Sequence, residues 1–167
     1  MIDIDYFKAI NDRFGHDVGD RAIVHVANLA GGCKRTSDLL ARIGGEEFAL
    51  LLPETEITQA ELVAERLRRA VAASPLAEVA HSATVSIGVA TADKTMAGIS
   101  DLIKAADQAL YAAKRSGRNR VMSSIAATDA PALDGKNADE GLKRPESVGA
   151  FSSQQGASSS DASKPGR

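Results

Sequence analysis

The sequence predicts an α+β domain, a mostly antiparallel central sheet flanked by helices. Three observations carry this. Apolar residues recur with period two in short runs and with a helical period in longer ones, and the runs interleave as β-α-α-β-β-α-β-α-β. Two β-compatible runs, 39–43 and 48–52, are joined through a Gly-Gly pair that reads as a tight hairpin, because glycine takes positive φ without strain. The pattern stops after Met122, which leaves residues 1–122 as the folded part.

Each element follows from its own residues. Ile2 and Ile4 alternate with Asp3 and Asp5, so the two acids share a face or stand at the mouth of the sheet. Phe7, Ile10 and Phe14 mark one face of a helix that Gly15 ends. His16-Asp17-Val18-Gly19-Asp20 reads as a polar turn. A second helix follows, with Ile23, Val26, Ala27 and Ala30 inward and Gly31-Gly32 at its end. Asp17 or Asp20 is expected to cap it, and the sequence does not choose between them. Lys34-Arg35-Thr36-Ser37-Asp38 connects to the hairpin, and Pro53 closes its second strand. Residues 54–73 form an amphipathic helix with Ala60, Val63, Ala64, Leu67 and Val71 inside, ended by Ser74-Pro75. Residues 84–91 alternate around Val85, Ile87 and Val89. Ser100-Asp101 opens a last helix with Leu102, Ala105, Ala106, Ala109, Leu110 and Ala113 inward, and Gly117 caps it. Arg120-Val121-Met122 is a short final strand. No internal repeat is visible.

Bulk properties narrow the function. The chain has 167 residues, a net charge of −2 and 4% aromatic residues, which gives no footing for nucleic acid or an anionic membrane surface. It holds no apolar run long enough to span a bilayer and no signal peptide. The single cysteine, Cys33, excludes an internal disulfide, fits a reducing, cytoplasmic setting and is expected to be a small buried hydrophobe. Residues 123–167, rich in Ser, Ala and Gly, are expected to be a disordered tail, since they bury too little to offset their ordering entropy.

Phosphate-loop, Rossmann and nucleophile-elbow motifs are absent, and His16, His25 and His81 have no metal-ligand spacing. What remains is acids at strand ends: Asp3, and Glu46 with Glu47 at the hairpin. If those strands are neighbours, the carboxylates converge. Hard oxygen ligands at a sheet edge suit Mg²⁺ bound together with substrate phosphates. Lys8, Lys114 and Arg118 then supply positive charge for the phosphates. The bland alternative is a surface hairpin with solvated acids.

Five blocks in order carry a resemblance: Ile2-Asp3-Ile4-Asp5-Tyr6-Phe7-Lys8-Ala9-Ile10-Asn11-Asp12, Phe14-Gly15-His16-Asp17-Val18-Gly19-Asp20, Arg42-Ile43-Gly44-Gly45-Glu46-Glu47-Phe48, Val85-Ser86-Ile87-Gly88-Val89-Ala90, and the run 106–119. Together they resemble the GGDEF domain family, the diguanylate cyclases, from Met1 to about Met122. The resemblance implies a palm-like nucleotidyl-cyclase fold that joins two GTP into cyclic di-GMP and releases two pyrophosphates. It implies that Asp3, the Ile4 carbonyl and Glu46 hold Mg²⁺, with Mn²⁺ as an alternative, and that Glu46 is also the base for the 3′-hydroxyl. Glu47 completes the acidic cluster. Asn11 and Asp20 match guanine contacts, with His16 beside them and Ile23 packing near the base. Lys8, Lys114 and Arg118 match phosphate contacts, and Gly44 and Gly45 let the nucleotide lie against the hairpin. Each domain holds one GTP, so the resemblance implies a homodimer. Arg35-Thr36-Ser37-Asp38 is similar to the family's inhibitory R-x-x-D site for cyclic di-GMP, with Arg66 as a secondary contributor.

The chain departs from the family at its start. The helix and D-x-L-T-G-L-x-N-R-R segment that usually precede the first strand are not in this sequence, nor is the first half of that strand. A non-catalytic module that binds GTP or cyclic di-GMP is the alternative to a cyclase, and an inert product of truncation is a third.

Overall fold

The structure is a computed structural model that describes residues 1–76 and 83–124. The expected tail therefore lies outside the described residues, except Ser123 and Ser124. Nine elements follow the predicted order: β1 (Ile2–Ile4), α1 (Phe7–Phe14), α2 (His16–Cys33), β2 (Leu39–Arg42), β3 (Glu47–Leu51), α3 (Ile57–Ala73), β4 (Val85–Val89), α4 (Ile99–Arg115) and β5 (Val121–Ser123). The sheet order is β2-β3-β1-β4-β5. Three pairings are antiparallel and one, β4 with β5, is parallel across the α4 crossover.

β1 is the middle strand, and period two sorts its side chains between two layers. Ile2 and Ile4 join Val85, Ile87 and Val89 of β4 in the core formed with α2 and α3. That core takes Val26 and Ala30 from α2, and Ala64, Leu67 and Val71 from α3. Asp3 and Asp5 point to the opposite face, where α4 lies. There, α4 sits so close to β4 that a Cβ at Gly88 would fall 2.1 Å from the Ala106 carbonyl oxygen and 2.2 Å from the Leu110 nitrogen. Both acids are therefore buried, although alternation alone suggests a wet face.

Several boundaries differ from the sequence expectation. The stretch His16–Asp20 is the first turn of α2, not a loop. Gly15, at φ 87°, makes the break between α1 and α2 within one residue, so neither Asp17 nor Asp20 serves as the cap. α2 also runs through Gly31-Gly32 to Cys33, which is buried as expected. α3 begins at Ile57 because Glu54 takes a left-handed φ of 50° and holds the preceding turn open. His25 is structural: its Nε2 pairs with the Ser74 carbonyl.

A cavity of about 580 Å³ opens beyond Met1 between β3, β4, α3 and α4. Its lining is mostly apolar, including Leu51, Val63, Leu67, Val89 and Leu102. It lies at the opposite end of β1 from the acids.

Candidate active site at the β1–β3 junction

Strand pairing brings the acids together. In the register of β1 on β3, Asp3 faces Glu47, and the Ile4 amide donates to the Glu46 carbonyl at 3.3 Å. Asp3, Ile4, Glu46 and Glu47 thus converge at one end of the sheet, from positions more than forty residues apart in sequence. Glu46 and Glu47 are half-buried.

The hairpin is built differently from the sequence expectation. Positive φ is confined to other positions, so Gly44 and Gly45 do not use the left-handed region. Their value is closeness. A Cβ on Gly44 would meet the Glu47 carboxylate at 2.6 Å, while Gly45 has open space around it. The turn is closed by the Ile43 amide donating to the Glu47 carbonyl at 2.9 Å. Arg42 braces it, donating through Nη2 to the Gly45 carbonyl at 2.7 Å and through Nε to the Gly44 carbonyl at 3.2 Å. Nothing in the sequence pattern marked Arg42 for that task.

Electrostatics at Asp3 reflect crowding. Burial pushes its carboxyl above the ordinary value, and the nearby charges of Glu46 and Glu47 push the same way. Lys114 of α4 opposes both, with Nζ 2.7 Å from Asp3 Oδ2. Neighbouring carboxylates that repel one another are relieved by a cation. Among the described residues, no three His, Cys, Asp or Glu side chains form a ready metal cage. Mg²⁺ does not require one, since it takes one or two carboxylates and fills its octahedron with waters and substrate phosphates. The donor set of Asp3, Glu46 and a strand-end carbonyl fits that habit.

The predicted phosphate ligands divide between two sides. Lys114 and Arg118 stand at the end of α4. The Arg118 guanidinium lies 4.5 Å from the Tyr6 ring centroid, and Tyr6 follows β1 directly. Lys8 is exposed in the first turn of α1, which follows β1.

The predicted guanine contacts cluster where α1 meets α2. Asn11 Oδ1 is buried and has no hydrogen-bond partner. Gly19 packs against it, since a Cβ there would fall 1.9 Å from that oxygen. His16 and Asp20 are exposed on the first turn of α2, and Ile23 is buried one turn later. An orphaned buried amide oxygen at the α1–α2 junction is an acceptor left to be satisfied.

The R-x-x-D residues lie on the turn before β2, apart from the acids. Asp38 is buried, and its carboxylate accepts from the Arg35 backbone N–H at 2.7 Å and from Ser37 Oγ at 3.3 Å. It therefore shapes the turn that presents the exposed Arg35 side chain. Arg66 of α3 donates from Nη2 to the Cys33 carbonyl beside that turn.

Sequence reasoning assigned no task to Asp5. It is 3% exposed and accepts three hydrogen bonds from distant parts of the chain: Thr84 Oγ1 at 2.7 Å, Ser86 Oγ at 2.6 Å and the Asn119 backbone N–H at 3.0 Å. Its alternation with Asp3 was the one available signal.

Comparison with known proteins agrees with this geometry. Residues 1–120 match the family described as diguanylate cyclase, GGDEF domain. The probable diguanylate cyclase DgcT of Escherichia coli is 40% identical over 126 residues, which is 73% of this chain and 28% of that protein. The response regulator PleD of Caulobacter vibrioides is 44% identical over 135 residues, or 75% of this chain and 29% of that protein. The chain thus spans under a third of the length of these relatives. Among solved structures, the active GGEEF domain of a diguanylate cyclase from Vibrio cholerae superposes with a TM-score of 0.71 at 39% identity, covering 74% of this chain and 79% of that one. The GGDEF domain of DgcB from Caulobacter crescentus, in complex with c-di-GMP, gives 0.70 at 36% identity, with 74% and 75% covered. The acid-bearing hairpin, the sheet that supports it and these matches together place the chain in the GGDEF family of diguanylate cyclase domains.

Proposed function

We propose that this chain is a diguanylate cyclase domain, condensing two GTP into cyclic di-GMP with release of two pyrophosphates. The observation that supports it most is the convergence of Asp3, Ile4, Glu46 and Glu47 at the β1–β3 end, faced by Lys114 of α4. The string Gly44-Gly45-Glu46-Glu47-Phe48 is the GGEEF form that the Vibrio cholerae relative carries in its description as active.

In this reading, guanine sits at the α1–α2 junction. Asn11 Oδ1 accepts from it, Asp20 and His16 line its edge, and Ile23 floors the site. The triphosphate runs over Gly44 and Gly45, where no side chain blocks approach to the backbone, toward Lys8, Lys114 and Arg118. Asp3, the Ile4 carbonyl and Glu46 would hold Mg²⁺ or Mn²⁺, which supplies Lewis-acid polarisation of the phosphoryl group and lowers the pKa of the attacking hydroxyl. Glu46 takes the 3′-hydroxyl proton. The 3′-oxygen of one GTP bonds to the α-phosphorus of the other, and the α–β phosphoanhydride bond breaks to free pyrophosphate. A second, reciprocal attack closes the ring. Because each domain carries one acid set, two copies must face each other, and proximity accounts for much of the rate. Lys114, which pairs with Asp3 at 2.7 Å, would release that carboxylate as a metal ligand and turn to the phosphates.

Product inhibition belongs to the same reading. Arg35 and Arg66 grip the phosphates of cyclic di-GMP, and Asp38 holds the turn between them.

Incubation of the purified protein with GTP and Mg²⁺, followed by chromatography of the nucleotides, tests the assignment. Cyclic di-GMP is the expected product, lost on chelation. Glu46→Ala should reduce turnover by at least 10³-fold with unchanged circular dichroism, by the usual size of losing an essential acid–base group. Full activity in that variant would remove Glu46 from the site. GTP binding without turnover by a well-folded dimer would favour a non-catalytic nucleotide-binding module.

A further inference from the structure

Non-glycine residues with positive φ are few among the described residues, and three of the four gather at one place. Tyr6 (φ 56°), Arg118 (φ 62°) and Asn119 (φ 44°) all border Asp5. Tyr6 adjoins it in sequence. Asn119 donates its backbone N–H to Asp5 Oδ2 at 3.0 Å, and the same oxygen accepts from Thr84 Oγ1 at 2.7 Å. Asp5 Oδ1 accepts from Ser86 Oγ at 2.6 Å. One buried carboxylate thereby joins the exit of β1, the start of β4 and the α4–β5 turn.

That turn carries cations of the site. The Arg118 amide donates to the Ala113 carbonyl at 3.1 Å, which ties it to the last turn of α4 beside Lys114. Its guanidinium stacks on Tyr6, with Nη1 3.4 Å from the Tyr6 hydroxyl. Two consecutive left-handed non-glycine residues persist only when their surroundings over-determine them. Arg68 Nη1 donates to Asn119 Oδ1 at 2.7 Å and Arg120 Nε to the Arg118 carbonyl at 3.0 Å, and the Asp5 carboxylate is the charged acceptor that ties the turn to β1.

We propose that Asp5 is a positioning residue for the triphosphate: it locks the left-handed Arg118–Asn119 turn and so aims Arg118 and Lys114 at the phosphates. This rests on the cyclase reading, in which those two cations face the triphosphate. Asp5 touches neither nucleotide nor metal. Asp5 bonds directly to the Arg118–Asn119 turn, whereas it meets the guanine pocket indirectly, through Tyr6 at the N-cap of α1, so its effect falls mainly on the phosphate half.

Two ligands report on the two halves of the site. Pyrophosphate with Mg²⁺ probes the phosphate half, and guanosine probes the base half. In the full chain, Asp5→Asn keeps an acceptor but loses the charge that holds two donors on one oxygen. Its pyrophosphate affinity should fall about tenfold with guanosine affinity unchanged. In turnover, KM for GTP should rise more than kcat falls. Thr84→Val, which removes one donor and leaves Asp5 in place, should give a smaller loss in the same direction, and it stands in if Asp5→Asn does not fold. Equal loss of both ligands, or of neither, in folded variants would overturn the positioning role. If the native chain binds neither guanosine nor pyrophosphate, the cyclase reading fails first and the inference goes with it.

Discussion

Glycines show how much of this fold is decided by single atoms. At Gly19, an added methyl would meet Asn11 Oδ1 at 1.9 Å, the tip of a short side chain that can rotate away. Gly19→Ala should therefore cost only about 1 kcal/mol of stability, the low end of overpacking. It should also displace the amide oxygen assigned to guanine and weaken guanosine binding at least tenfold by calorimetry. At Gly88, the obstacles are the Ala106 carbonyl and the Leu110 amide, which are backbone and cannot rotate away. Gly88→Ala should cost about 3 kcal/mol, the upper end of the same range, visible as a lower denaturant midpoint. Gly45→Ala, with open space around it, should leave stability within about 0.5 kcal/mol. A Gly88→Ala protein as stable as the native chain would mean that α4 does not pack against β4 at this distance.

Whole elements were legible wherever one periodicity ran uninterrupted. α3 and α4 announce themselves through Ala60, Ala64, Leu67 and Val71, and through Ala106, Ala109, Leu110 and Ala113, all buried as the spacing requires. The start of α2 was not legible, because His16–Asp20 has the composition of a turn. Its Gly19 is there to admit Asn11, a tertiary demand that local rules do not see. Asp3 and Glu46 could be nominated as acids, but their meeting depends on β1 pairing with β3 across the sequence. Asp5 lay further out of reach, since its donors stand 79, 81 and 114 residues away. The exposed side of α3 carries a testable charge device. Glu65 pairs with Arg68 and Arg69, each at 2.8 Å, and these bonds, Arg68 foremost, lower its carboxyl to about 2. A depressed folded pKa stabilises above the unfolded value, near 4.5, and that stability is lost as pH falls toward 2. Glu65→Gln should thus lower stability by less than about 1 kcal/mol at pH 7, solvent screening being strong there. The gap should close between pH 4.5 and 2 in urea titrations. A gap that stays constant over that window would show that the ion pairs contribute nothing.

At the scale of the molecule, the proposed reading makes the site half of a reaction centre. One copy presents one cluster of Asp3, Glu46 and Glu47 and one orphaned Asn11 oxygen, hence one GTP in the proposed reading. Among the described residues, no helix is long and apolar enough to cross a membrane. In the proposed reading, encounter between copies sets the rate. Cyclase activity per chain should rise in proportion to chain concentration at low concentration and level off as dimers saturate. Placing a parallel leucine-zipper coiled coil ahead of Met1 should remove that dependence, by raising the effective concentration of the second domain to about the millimolar range. Arg35→Ala in the zippered protein separates assembly from feedback. Its initial rate should match the parent, since Arg35 lies on the turn before β2, away from the acids, while inhibition by added cyclic di-GMP should weaken at least tenfold. Activity per chain that is independent of concentration, in a protein that sediments as a monomer, would refute the two-copy mechanism. Inhibition unchanged by Arg35→Ala would detach the R-x-x-D turn from feedback and leave the cyclase assignment intact.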